Sequence, residues 1–178
     1  MSLLQDAQRA SCAGAIYIAR ELLDAVGGKM SLRYDLDYFP LVVLHFEAGD
    51  MDAAVDQMIE KTSGFLRQGT QFATLVYANA IVEAKQRARF ARWEKQYHEQ
   101  LRQSHLGIGI VLRSSLVRGA LTALRWIAPA PQPELITSSS REAADFCLRI
   151  LAEAGVSDLA RARRYVSKLE TESRLRAR

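Results

Sequence analysis

Cysteine is scarce in this chain of 178 residues: Cys12 and Cys147 stand alone, far apart, each in a helical context. Two such thiols read as small buried hydrophobes rather than as a disulfide or a metal pair. Histidine is nearly as rare, with His45 in an apolar run, His98 on a helical stretch and His105 just before another apolar run. A metal centre needs at least three convergent ligands. No spacing here puts two histidines on one face, so neither metal nor cofactor is expected. A glycine-rich phosphate loop, a nucleophile elbow and a His-Glu helix motif are all missing. Paired carboxylates occur as Asp35/Asp37, on a strand facing water, and as Asp50/Asp52, at a helix start. No catalytic residue is assigned, and an enzyme is not expected.

No apolar run approaches the ~18 to 20 residues of a membrane span. The first nine residues carry an acid early and no continuous apolar stretch, which argues against a cleaved secretory signal and for a cytoplasmic location. Charge of one sign does not dominate either. Lys and Arg number 24 against 20 Asp and Glu, for a net charge of +4, with pI 9.3. That balance permits an anionic partner without demanding one. At 49% hydrophobic and 25% charged, the composition is that of an ordinary globular protein, long enough for one domain with embellishments.

What is present is alternation. Four short apolar runs, at 39–46 (FPLVVLHF), 72–78 (FATLVYA), 106–112 (LGIGIVL) and 134–137 (ELIT), are separated by segments of helical period. That order predicts an α/β protein, a sheet with helices packed on it. Residues 30–37 alternate apolar and polar, the mark of a half-buried strand, and form a hairpin with 39–46; Pro40 belongs at a strand start or an edge. Residues 72–78 lack polar interruption, as expected of a strand covered on both faces.

The helices follow from spacing and caps. Leu4, Ala7, Ser11, Gly14, Ile18 and Leu22 form a stripe over 3–26, stopped by Gly27-Gly28. Asp50 caps a helix whose buried face is Met51, Val55, Met58, Ile59, Thr62 and Leu66, ending at Gly69. A long helix is expected over about 81–103, marked by Phe90, Trp93, Tyr97 and Leu101. Ser114 or Ser115 caps the next, to about 127, and Pro129, Pro131 and Pro133 stiffen the connector after it. Ser139 and Glu142 fit a capping box opening a helix that closes at Gly155. Leu159, Ala162, Val166 and Leu169 stripe a last, basic helix.

Residues 30–155 in this order resemble the STAS-type domain, in its SpoIIAA-like branch of small bacterial proteins. The features shared are the opening hairpin, the Gly-Asp helix start after Phe46, the run from Ala84 to Trp93 ahead of a glycine-containing strand, and the short strand before Ser139-Ser-Arg-Glu-Ala-Ala144. The resemblance implies a four- or five-stranded mixed sheet with helices on one side, acting through protein–protein contact or small-ligand binding. Where regulatory members of that family place a phosphorylatable serine or threonine, this chain reads Tyr77-Ala-Asn-Ala80, and no phosphosite is carried over.

The expected division is an N-terminal amphipathic helix at 1–28, the STAS-like domain at 29–156, and a basic helix at 157–178. The principal expectation is a non-enzymatic regulatory module with a protein partner, with the two terminal stripes making a two-fold homodimer. The alternative is an anion site at the carboxyl ends of the strands. There Asn79, Arg113, Ser114, Ser115 and Arg118 offer helix N–H groups, hydroxyls and two guanidinium groups for a phosphate or carboxylate. The simpler role of the same residues is helix capping. A basic face of Lys85, Arg89 and Arg92, beside Phe90 and Trp93, has the composition of a nucleic-acid or membrane surface. Glu83, Glu94 and Glu99 dilute it, and it ranks below the other two.

Overall fold

A computed structural model describes residues 30–48, 51–78, 84–127, 130 and 132–176. The expected N-terminal helix at 3–26, the Asp50 cap, Asn79 and two of the connector prolines lie outside them. Within them the order is β1 (Met30–Asp35), β2 (Leu41–Ala48), α1 (Met51–Arg67), β3 (Phe72–Tyr77), α2 (Ala84–Gln96), α3 (His98–Ser104), β4 (His105–Val111), α4 (Ser115–Ile127), β5 (Glu134–Thr137), α5 (Ser140–Glu153) and α6 (Ala160–Arg176). The strands form one mixed sheet in the order β1-β2-β3-β4-β5, with β1 antiparallel to β2 and the other neighbours parallel. The α/β class and the opening hairpin are as the sequence predicts. β1 ends at Asp35 because that carboxylate accepts a hydrogen bond from the Asp37 backbone N–H at 2.9 Å, which turns the chain.

The topology decides where the helices lie. β2, β3, β4 and β5 are consecutive neighbours, so each crossover steps across the sheet in the same direction. Crossovers of one hand then fall on one face. That face is filled by Val55 and Met58 from α1, Phe90 from α2, and Val117 and Leu121 from α4, packed on Leu32, Phe46, Val76, Ile108 and Ile110. At its lower end Trp93 and Leu101 join Val42, Leu66 and Phe72.

The opposite face has no crossover to cover it. After β5 the chain folds back, and α5 and α6 close that face over Leu41, Val43, Ala73, Leu75 and Val111. The helices therefore lie on both sides of the sheet, not on one. The segment 157–178, expected as an added helix, contributes buried Leu159, Ala162, Tyr165 and Val166 to this layer. Its apolar stripe is covered by its own chain and needs no second copy.

Close approach of α5 depends on β4. Gly107 and Gly109 point to α5 between Ile108 and Ile110, which point away. A Cβ at Gly109 would lie 2.8 Å from the Ala143 carbonyl oxygen and 3.1 Å from Cys147 Sγ. The Cys147 thiol is buried there, donates to the Thr74 carbonyl at 3.4 Å, and has its pKa pushed up to about 12 by burial.

The long helix expected over 81–103 is two helices. The backbone at Tyr97 leaves helical geometry (φ −109°, ψ 21°). The Tyr97 hydroxyl there accepts from Arg67 Nη1 at 3.2 Å, and its ring tilts against Trp93. The break lets Leu101 join the cluster around Trp93. The α5 cap is a relay rather than a plain box. Ser139 Oγ accepts from the Glu142 N–H at 3.2 Å, the Ser139 N–H donates to Thr137 Oγ1 at 3.1 Å, and the Thr137 hydroxyl donates to the Glu142 carboxylate at 2.5 Å.

Candidate functional site: a cleft at the carboxyl ends of the parallel strands

Register brings one row of residues to the upper edge of the face that α5 and α6 cover. Arg33 on β1 is paired with His45 on β2, His45 with Tyr77 on β3, Tyr77 with Val111 on β4, and Val111 with Thr137 on β5. Paired residues point to the same side of a sheet. The rings of His45 and Tyr77 accordingly stack, centroids 4.4 Å apart and 3° from parallel. From above, Tyr165 of α6 closes on this row: its hydroxyl shares a 2.7 Å hydrogen bond with that of Tyr77, and its ring meets Tyr38 edge-on at 4.6 Å.

Beyond this row the helices stand off from the sheet and leave a cleft of about 510 Å³, within the range of small-molecule sites. Its walls carry four cations, Arg33, Arg113, Arg141 and Lys168, against two carboxylates, Asp35 and Glu172. Arg33 stands 3.7 Å from Asp35. Arg141 pairs with Asp145 one turn along α5 at 3.2 Å and joins α5 to α6 through Glu170 at 2.6 Å. Arg113 and Lys168 have no ion-pair partner among the described residues. Ser139 and Ser140, at the start of α5, complete the rim, where first-turn N–H groups favour negative charge. Burial, reinforced by the Tyr77 hydroxyl, raises the Tyr165 pKa far above its ordinary value, so the Tyr165 hydroxyl keeps its proton.

Of the residues expected to hold an anion, Arg113 lines this cleft and Asn79 lies outside the described residues. Ser114 and Arg118 are engaged locally. Ser114 Oγ accepts from the Val117 N–H at 3.3 Å, and Arg118 Nη1 donates to the carbonyls of Leu112 at 2.6 Å and Arg113 at 2.8 Å. Ser115 is the exposed first residue of α4. Ser114 and Arg118 fix the loop that carries Arg113, and none of the three lines the cleft.

The basic face of the long helix is also internally engaged. Lys85 Nζ lies 2.5 Å from Asp52, Arg89 lies 3.2 Å from Asp52 and also pairs with Asp56, and Arg92 Nε donates to the Ala88 carbonyl at 3.4 Å. The Lys85 and Gln86 side chains hold the exposed Asp52 carboxyl below the usual carboxylate range. Phe90 and Trp93 are buried, Trp93 donating from Nε1 to Ser63 Oγ at 2.9 Å. This face pins α2 to α1.

Among the described residues no group of three His, Cys, Asp or Glu side chains is placed to hold a metal, and no helix is long and apolar enough to cross a membrane. Compared with the profiles of known protein families, with characterised proteins and with solved structures, the chain matches none.

Proposed function

We propose that this protein is a non-enzymatic binding module whose carboxyl-end cleft holds a small anionic ligand. The observation that carries this reading is the pair Arg113 and Lys168: two cations from different elements, both without a carboxylate partner among the described residues, on the wall of one cavity. An excess of cations over carboxylates on the walls of one cleft favours a bound anion. The floor is aromatic, with the Tyr77 and Tyr165 hydroxyls hydrogen-bonded to each other, which suits a surface that holds a ligand, and binding is the assigned role.

The STAS-like regulatory reading, a module acting on a protein partner, ranks second. The large apolar side chains exposed among the described residues, Leu116 and Leu175, sit on separate helices, and isolated exposed leucines are ordinary. Ligand occupancy of the cleft is compatible with a regulatory role in a cell, by changing what α5 and α6 present.

Thermal unfolding in the presence of phosphate, pyrophosphate and citrate tests the binding reading. At least one should raise the melting temperature with concentration, as linkage requires. The rise should disappear in Arg113→Ala and Lys168→Ala and survive in Arg149→Ala, a cation of α5 that pairs with Glu153 outside the cleft. No shift with any anion, or an equal loss of the shift in Arg149→Ala, overturns it.

A further inference from the structure

The cleft asks for more than charge. Resting on the anion reading above, the geometry points to a ligand of two parts: a phosphate or carboxylate held by Arg113 and Lys168, and a planar aromatic ring laid against the His45–Tyr77 stack. The cavity is too large for a bare anion. Its 510 Å³ would leave the floor to water if phosphate alone were bound, and that floor is aromatic. His45 and Tyr77 are register partners on parallel strands, stacked face to face to within 3°, and both line the cleft, so a further ring adds to the end of the stack, on the outer face that serves as its platform. The hydrogen bond between the Tyr77 and Tyr165 hydroxyls, at 2.7 Å, fixes the tilt of the platform, and the edge-on contact of Tyr38 with Tyr165 at 4.6 Å braces it from behind. A rigid stack of this kind favours an offset planar ring over an aliphatic chain. The phosphate end is set by the loop after β4 and by α6, on different elements from the platform, so the two halves of the ligand are read separately. A ring-bearing phosphomonoester of nucleotide size meets both requirements.

Isothermal titration of the full chain with four probes separates the two halves: inorganic phosphate, ribose 5-phosphate, adenosine and adenosine 5′-monophosphate. The monophosphate nucleoside is expected to bind at least tenfold more tightly than ribose 5-phosphate, which lacks the ring. Adenosine alone is expected to be weaker than either phosphate ester. In His45→Leu the preference for the ring-bearing ester should fall several-fold while the affinity for ribose 5-phosphate is kept, and Arg113→Ala should weaken both esters alike. Phenyl phosphate tests the ring without a nucleobase and should also exceed ribose 5-phosphate. Equal affinity of the ringed and ringless esters would overturn this inference and leave the anion site standing. Failure of all the phosphates to bind would overturn both.

Discussion

On the crossover face, α1, α2 and α4 meet the sheet through large side chains such as Met58, Phe90 and Leu121, with polar pins at its margins. Those pins are Tyr34 to Thr62 at 2.9 Å, Trp93 to Ser63 at 2.9 Å, and the Asp52 cluster with Lys85 and Arg89. On the other face α5 lies against glycines, and contact is made by Ala143, Ala144 and Cys147, all fully buried. The first face is closed because every βαβ step must return over it. The second is closed by whatever chain remains after the last strand. Closure by a late pair of helices does not have to be complete, and at the carboxyl edge it is not. The gap between α6 and the sheet is where the rings collect with Arg113 and Lys168. In this fold the site is a consequence of same-side crossovers: they leave one face to be roofed separately, and the roof stops short of the strand ends.

Each face can be perturbed in the way its closure implies. The largest single effect is expected at the ion pair tying α4 to β5, where Arg125 donates to Glu134 through Nε at 2.7 Å and Nη2 at 2.9 Å, with side chains only 11% and 8% exposed. Arg125→Ala strands the Glu134 carboxylate in a nearly dry setting and should cost about 3 kcal/mol in denaturant unfolding. Arg125→Leu with Glu134→Leu should recover most of that loss. If the single and double variants lose equally, the pair is not what holds β5 to the crossover layer.

Acid sharpens the contrast between the two ends of the sheet. His105, at the amino end, is buried and stacked on Phe72 at 5.0 Å. Burial pushes its pKa down to about 4, opposed in part by the Gly107 backbone. Between the ordinary histidine value of 6.5 and about 4 the unfolded chain holds the extra proton, so stability rises with pH through that window and is lost on acidification. The loss assigned to this residue is roughly 2–3 kcal/mol by pH 4. It is read as the difference between the pH–stability curves of the wild type and His105→Leu, and parallel curves from pH 7 to 4 would contradict it.

A pair of glycines makes the smallest and most direct contrast between faces. Gly109→Ala drives a Cβ into the Ala143 carbonyl under α5 and should cost about 2 kcal/mol. Gly119→Ala, on α4, meets nothing within 4 Å and should gain about 0.5–1 kcal/mol from helix propensity. Equal effects of the two substitutions on the midpoint of urea unfolding would mean that α5 does not sit as close to β4 as its packing requires.

Much of this is legible in the sequence alone. The apolar runs fix the strands because a strand covered on both faces has no room for polar interruption, and Ser139 with Glu142 announces α5 through local capping chemistry. The alternation of Gly107 and Gly109 with Ile108 and Ile110 leaves one side of that strand without side chains, a mark of close helix approach that the expectation of helices on one side passed over. The break at Tyr97 was not legible, since it depends on the contacts that ring makes with Trp93 and Arg67, from α2 and α1. Arg113 could be found because it follows a strand directly. His45, Tyr77 and Tyr165 could not be found together, because what unites them is register and the return of α6, both set by tertiary pairing. Tyr165 did leave a trace: three residues after Ala162 and four before Leu169, it lies on the stripe buried by α6.

The central claim is that α6 is a structural half of the second face, roofing the sheet and forming one wall of the cleft. Calorimetric unfolding of a chain ending at Asp158 tests it most directly. Without α6, the cluster of Leu41, Val43 and α5 loses Leu159, Ala162, Tyr165 and Val166, and the account predicts a loss of several kcal/mol, with a broadened or absent cooperative transition. A truncated chain that unfolds in one sharp transition at the full-length melting temperature would contradict the claim and return α6 to the status of an appendage.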